Sequence, residues 1–236
     1  MIRAAALASG DGEKLQAVLD AMYFGELPDF ELSAVICPEK NAYVMQRALN
    51  ARIPAYVVDP DLFPTMTTHS MAVANKLKDM DIELVLLVDY DVPLGVIPYQ
   101  FKNRIIGTWP SLCPAFEDCE GDLFAAVLAR GCKLTGATSF FADPDGRVGT
   151  IIDQRAVVVL PDDTPETLAR RVTEEAEWPL LAEAAIYPSV MKSLDVMPSN
   201  GDLSGAEVDL VYMDNREKLL NFFVCHQSLK FRLCQG

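Results

Sequence analysis

Short apolar runs that alternate with longer helical patterns constrain this 236-residue chain more than any other feature. Ile2–Ala8, Glu31–Cys37, Ala55–Val58, Glu83–Val88 and Arg104–Gly107 read as strands, with helical patterns at Lys14–Phe24, Ala42–Asn50 and Met66–Asp79 between them. Runs such as Leu84-Val85-Leu86-Leu87-Val88 show no polar alternation, which suits strands buried on both faces. Strands separated by helices pair in parallel through right-handed crossovers. The expected fold is therefore α/β: a Rossmann-like, mostly parallel sheet with helices on both faces.

The pattern changes after residue 130. Leu134–Phe141 and Thr150–Leu160 read as two longer strands joined by Asp143-Pro144-Asp145-Gly146, a strong turn signal that makes them an antiparallel pair. Thr164 caps the next helix and Pro165 takes its first turn. The helical pattern runs to about Leu194, with a break expected near Trp178-Pro179. This gives a main domain over 1–194 and a C-terminal extension over 195–236. The extension opens on the turn-rich Met197-Pro198-Ser199-Asn200-Gly201-Asp202. Strands are expected at Val208–Met213 and Ser228–Leu233, with Lys218–Cys225 between them. Forty-odd residues are too few for a separate core. The extension is expected to add strands to the main body or to make a homodimer contact.

Composition excludes several function classes. A formal charge of −14 with no basic patch opposes nucleic-acid binding. No stretch approaches the roughly 18 to 20 apolar residues of a membrane span. The apolar run at Met1–Gly10 is too short for an export signal, so a cytoplasmic location is expected. Six cysteines contain no C-x-x-C pair. Cys113, Cys119 and Cys132 cluster loosely without a nearby histidine, so buried thiols are expected rather than a metal site. The only histidines are His69 and His226. His69 is expected at the surface, and His226 reaches a cleft only if the tail folds back.

Two segments carry the candidate chemistry. Ser9-Gly10-Asp11-Gly12-Glu13-Lys14 follows the first strand and opens a helix, where glycines allow close approach and free N–H groups can hold a phosphate. Asp11 and Glu13 work against an anion, and Lys14 offsets them in part. A tight turn without a ligand is the alternative. Ile105-Ile106-Gly107-Thr108-Trp109-Pro110-Ser111-Leu112-Cys113-Pro114 lies at the C-terminal end of a strand, the edge where open α/β sheets bind ligands. Trp109 either stacks on a planar ring there or plugs the pocket.

These segments resemble the formyltransferase family, in its branch acting on glycinamide ribonucleotide. Ala8-Ser9-Gly10-Asp11-Gly12 with Leu15-Gln16-Ala17-Val18-Leu19-Asp20-Ala21 resembles the family's I-S-G-N-G-S-N-L-Q-A-I-I-D-A. Ile105 to Pro114 resembles L-L-N-I-H-P-S-L-L-P, and Glu183-Ala184-Ala185-Ile186-Tyr187-Pro188 resembles E-H-x-x-Y-P. Order and spacing agree over about residues 1 to 194. The resemblance implies formyl transfer from 10-formyltetrahydrofolate, as co-substrate and without a metal, to an amine in purine biosynthesis. It implies a phosphate and substrate subsite at Gly10, Asp11, Gly12, Glu13, Lys14 and Glu183, and a folate-facing set at Val92, Leu94 and Trp109. Pro93 lies within that set and lacks an N–H donor.

The departures from the family pattern fall on the catalytic positions. In the family, Asn and His stabilise the tetrahedral oxyanion and an Asp orients the His. Here the Asn position is Gly107 and the His position is Trp109, neither able to exchange a proton at neutral pH. The Asp position falls on Asp145 or, ungapped, on Arg147. A second family His, in G-x-S-V-H-F, corresponds to Phe140, and the phosphate-holding Ser-Asn to Glu13 and Lys14. Three readings follow: a divergent formyltransferase of poor activity, a catalytically silent folate- or nucleotide-binding regulatory or partner protein, or a different reaction with Cys113 as nucleophile.

Overall fold

A computed structural model describes residues 1–27 and 29–193. Seven strands form one sheet in the order β3-β2-β1-β4-β5-β6-β7. They are β1 (Ile2–Ala8), β2 (Phe30–Cys37), β3 (Ala55–Val57), β4 (Leu84–Val88), β5 (Ile105–Trp109), β6 (Leu134–Ala142) and β7 (Val148–Val158). The pairs among β1 to β5 are parallel, and β6 runs antiparallel to both β5 and β7. The mostly parallel α/β architecture is as the apolar runs predict.

β1 lies in the sheet interior, and only Arg3 along it is exposed. Its Ala4, Ala5 and Ala6 have no exposed surface, so small side chains suit the layer between the flanking helices. The helices are α1 (Glu13–Tyr23), α2 (Tyr43–Asn50), α3 (Met66–Asp79), α4 (Ile97–Gln100), α5 (Leu123–Ala129), α6 (Pro165–Val172) and α7 (Trp178–Ser193). Val73, Ala74 and Leu77 of α3 pack on Ala5, Leu7, Ile36 and Val85. On a second core, Leu168 and Val172 of α6 pack with Ala137, Val157 and Val127.

α6 and α3 begin where the sequence marks them. Thr164 and Thr65 each accept from the backbone of the residue three positions on, closing reciprocal caps. The break expected near Trp178-Pro179 takes another form. A π-helical turn, Thr173–Glu177, joins α6 to α7 and the helical path continues to Ser193. α5 and the short turn at Pro60–Leu62 were not marked in the sequence. One compact unit spans Met1–Ser189. The extension at 195–236, its expected strands, His226 and the homodimer contact lie outside the described residues. Among the described residues, no helix is long and apolar enough to cross a membrane.

His69 corrects an expectation. It has no exposed surface: it packs edge-on against Phe63, at 5.4 Å between ring centres, and its Nε2 lies 2.9 Å from the Val58 carbonyl. Its place on the buried face of α3, beside Ser70 and Val73, outweighs the polarity of the ring.

Candidate functional site

The sheet order reverses between β1 and β4. β1 leads outward to β2 and β3, whereas β4 leads to β5 on the other side, so the crevice beyond their C-terminal ends is a topological switch point. The turn after β1 and the loop after β4 meet there. Ser9 N donates to the Val88 carbonyl at 3.2 Å, and Ser9 Oγ donates to Asp91 Oδ1 at 2.6 Å.

The first turn is held rigidly. Gly12 caps α1 with φ of 70°, a left-handed conformation that favours glycine, and a Cβ there would lie 2.4 Å from Val44 Cγ2. The Gly10 carbonyl accepts from Val44 N at 3.2 Å, and the Asp11 carbonyl accepts from Arg47 Nε at 2.7 Å. The Asp11 carboxylate turns back toward the helix, 3.4 Å from Glu13 N. A negative charge supplied by the chain therefore stands at the positive end of α1, where a bound anion would otherwise be stabilised.

Lys14 turns inward. Its Nζ lies 2.7 Å from Asp89 Oδ1 and 2.7 Å from Glu177 Oε1. Glu177 is 2% exposed, and it also accepts from Thr108 Oγ1 at 3.1 Å and from Thr173 Oγ1 at 3.3 Å. Burial pulls the Lys14 pKa down, but the charges of Glu177 and Asp89 and their hydrogen bonds outweigh it and hold the value above 10.5. The ammonium is thus favoured in the folded chain. Its stabilisation is complete below pH 10.5 and is lost as pH rises through the higher folded value. Chemical denaturation across this range checks the sign: the stability difference between the wild type and Lys14→Met should shrink above pH 10.5. A difference that grows there would contradict it.

The other face of β5 carries the catalytic positions implied by the resemblance. Gly107 pairs across the sheet with Phe140, and Trp109 with Thr138. A Cβ on Gly107 would meet Phe140 Cζ at 3.0 Å and Leu87 Cδ1 at 3.4 Å. The Phe140 ring thus fills the space that a side chain at 107 would enter. Thr138 Oγ1 donates to the Ser111 carbonyl at 2.7 Å and accepts from Cys113 N at 3.0 Å and Gln154 Nε2 at 2.9 Å, clamping the segment after Trp109. Trp109 Nε1 and Tyr90 OH are buried without a hydrogen-bond partner among the described residues. Such donors carry a desolvation cost unless a partner arrives. Val92 is half-buried and Leu94 buried, and Leu94 packs against Gly146 in the β6–β7 turn.

In that turn Asp145 and Arg147 are both exposed, and the backbone N–H groups of both donate to Asp143 Oδ1, at 2.9 and 2.8 Å. Asp143 thus shapes the turn that carries both candidates for the family Asp. Glu183, on α7, is held by Arg155 of β7 through both carboxylate oxygens at 3.0 and 2.9 Å. The carboxylate joined to the first turn is Glu177, which sequence reasoning missed. A signal was present: Leu168, Val172, Ala176 and Leu180 are buried at a strict spacing of four. That spacing is wider than the 3.6-residue repeat and fits a π turn, which turns Glu177 inward. Cys113 is buried, and burial, ahead of all other influences, pushes its thiol pKa up. A nucleophilic Cys113 therefore lacks activation. Among the described residues no group of three or more His, Cys, Asp or Glu could hold a metal ion.

The formyl transferase family model matches residues 2–184. Phosphoribosylglycinamide formyltransferase of Bacillus subtilis (strain 168) is 30% identical over 206 residues, covering 86% of this chain and 99% of that protein. A crystal structure of glycinamide ribonucleotide transformylase 1 from Symbiobacterium toebii superposes with a TM-score of 0.73 at 37% identity, over 79% of this chain and 86% of that one. The corresponding protein from Geobacillus kaustophilus gives 0.72 at 29% identity, over 79% and 97%.

Proposed function

The chain belongs to the formyl transferase family, and from that premise we propose that it is a silent member, binding a folate-class ligand without transferring its formyl group at an enzyme's rate. The observation that carries the reading is the Phe140 ring packed over Gly107. Formyl transfer to an amine passes through a tetrahedral oxyanion, which needs aligned donors where charge develops. Gly107 offers no side-chain donor and Trp109 cannot shuttle a proton. Loss of one oxyanion donor costs about 10² to 10³ in rate, and of an acid–base group about 10² to 10⁴; the two losses do not simply multiply.

Binding is better supported than chemistry. Leu94, Val92 and the Trp109 indole give the crevice apolar and flat surface, and the unpartnered Trp109 Nε1 and Tyr90 OH offer donors to a heteroaromatic ring. A 10-formyltetrahydrofolate-class ligand suits that side. The first turn is less suited to a ribonucleotide phosphate, because Asp11 covers the α1 amide and Lys14 is committed to two carboxylates. By likeness to the named relatives, the setting is purine biosynthesis, with a regulatory or partner role.

Calorimetry tests this. A 10-formylfolate analogue should bind the wild type, and Trp109→Ala should weaken it about 3- to 10-fold. Glycinamide ribonucleotide should bind far more weakly than it binds the Bacillus subtilis relative. No heat with the folate analogue would overturn the binding reading. Slow residual formyl transfer is the second reading, favoured by the Asp145 turn lying against Leu94 through Gly146.

A further inference from the structure

The Lys14 ammonium stands in an arrangement that four separate segments build. Lys14 comes from the first turn of α1, Asp89 from the loop after β4, Thr108 from β5 and Glu177 from the π turn. Glu177 Oε1 takes both the ammonium, at 2.7 Å, and the Thr108 hydroxyl, at 3.1 Å. The side chain of Lys14 is 12% exposed and that of Glu177 3%, so the pair has left water, while Asp89 at 48% remains at the mouth. Removing two charges from water is costly, and a hydrophobic pair of similar volume would serve packing as well or better. The site also lies at the switch-point edge of the sheet, where α/β proteins hold ligands. A seated cation, rather than the carboxylates alone, is what defines it.

We propose that Glu177, Asp89 and Thr108 form a subsite for a primary ammonium group, and that Lys14 fills it as the chain's own ligand. A primary ammonium offers three donors on a compact charge, matching the carboxylates that face it. Lys14 thereby closes the subsite to an external amine in the wild type. Glu177 selects the occupant: a carboxylate needs a cation there, and a neutral amide at the same position does not. This inference concerns the amine subsite alone and is independent of folate binding and of formyl transfer.

Truncating Lys14 to alanine and resupplying the missing part as propylammonium tests it. Lys14→Ala strands the Glu177 carboxylate and should lower Tm by roughly 10 °C. Propylammonium chloride at about 100 mM should then raise the Tm of Lys14→Ala saturably, by roughly 3 °C or more. Tetramethylammonium chloride at the same concentration should not, because it carries the charge without donors. The wild type and the Lys14→Ala/Glu177→Gln double variant should show no propylammonium-specific shift, and the double variant should be more stable than Lys14→Ala without amine. Should Lys14→Ala not fold unaided, its refolding yield with propylammonium against tetramethylammonium gives the same reading. Equal responses to the two cations, no response to either, or an undiminished response in the double variant would each overturn the proposal.

Discussion

Gly107→Asn, which places at 107 the residue that the resemblance implies there, is expected to destabilise the chain by about 1 to 3 kcal/mol and to add no formyl-transfer activity. A Cβ alone would stand 3.0 Å from Phe140 Cζ and 3.4 Å from Leu87 Cδ1, and an asparagine extends further in the same direction. Gly107 and Phe140 are direct cross-strand partners, so neither can step aside without disturbing β5 or β6. In a domain of this size the cost should appear as a Tm lower by about 2 to 4 °C for each kcal/mol.

The cost should be much smaller with Phe140→His in the same chain. An imidazole lacks the para carbon that makes the closest contact, so the two substitutions should be coupled by about 1 kcal/mol or more in a double-mutant cycle. Strict additivity would mean that the Phe140 ring does not exclude a side chain at 107, and the observation that carries the functional reading would fail. The cycle reads packing and needs no ligand, so it separates the structural claim from the chemical one.

Much of this arrangement is legible in the sequence, and the remainder is hidden for physical reasons. The strand at Leu84–Val88 could be read because a strand buried on both faces must be apolar throughout. The cap at Thr164 could be read because its hydrogen bonds are local. The replacements at Gly107 and Trp109 were visible from motif position alone. Their consequence was not, since the contact with Phe140 spans β5 and β6 and depends on sheet register. Glu177 was hidden for a related reason. In an ordinary helix it would turn about 140° away from the buried Val172, and only the extra residue of the π turn brings it to Lys14, 163 positions away. The polarity of His69 points to the surface, but the face of α3 on which it lies is buried. Lys14 does not offset Asp11 and Glu13: its charge is spent inward, leaving the exposed turn more acidic than its composition suggests.

The first turn and the β5–β6 pair point to one conclusion. On the reading proposed above, several positions that the resemblance assigns to the phosphate, the amine and the reacting carbon are engaged by the chain itself. Asp11 lies on the α1 amide, Lys14 on Glu177, Arg155 on Glu183 and Phe140 over Gly107.

Formyl transfer itself tests the central claim most directly. Turnover of 10-formyltetrahydrofolate with saturating glycinamide ribonucleotide should be measured for this chain beside the Bacillus subtilis relative, under identical conditions. The expected kcat is lower than the relative's by at least about 10³, the loss assigned to one missing oxyanion donor together with the missing proton carrier. A kcat within about tenfold of the relative's would contradict the account, because it would require another group in this crevice to do the work of the side chains absent at 107 and 109.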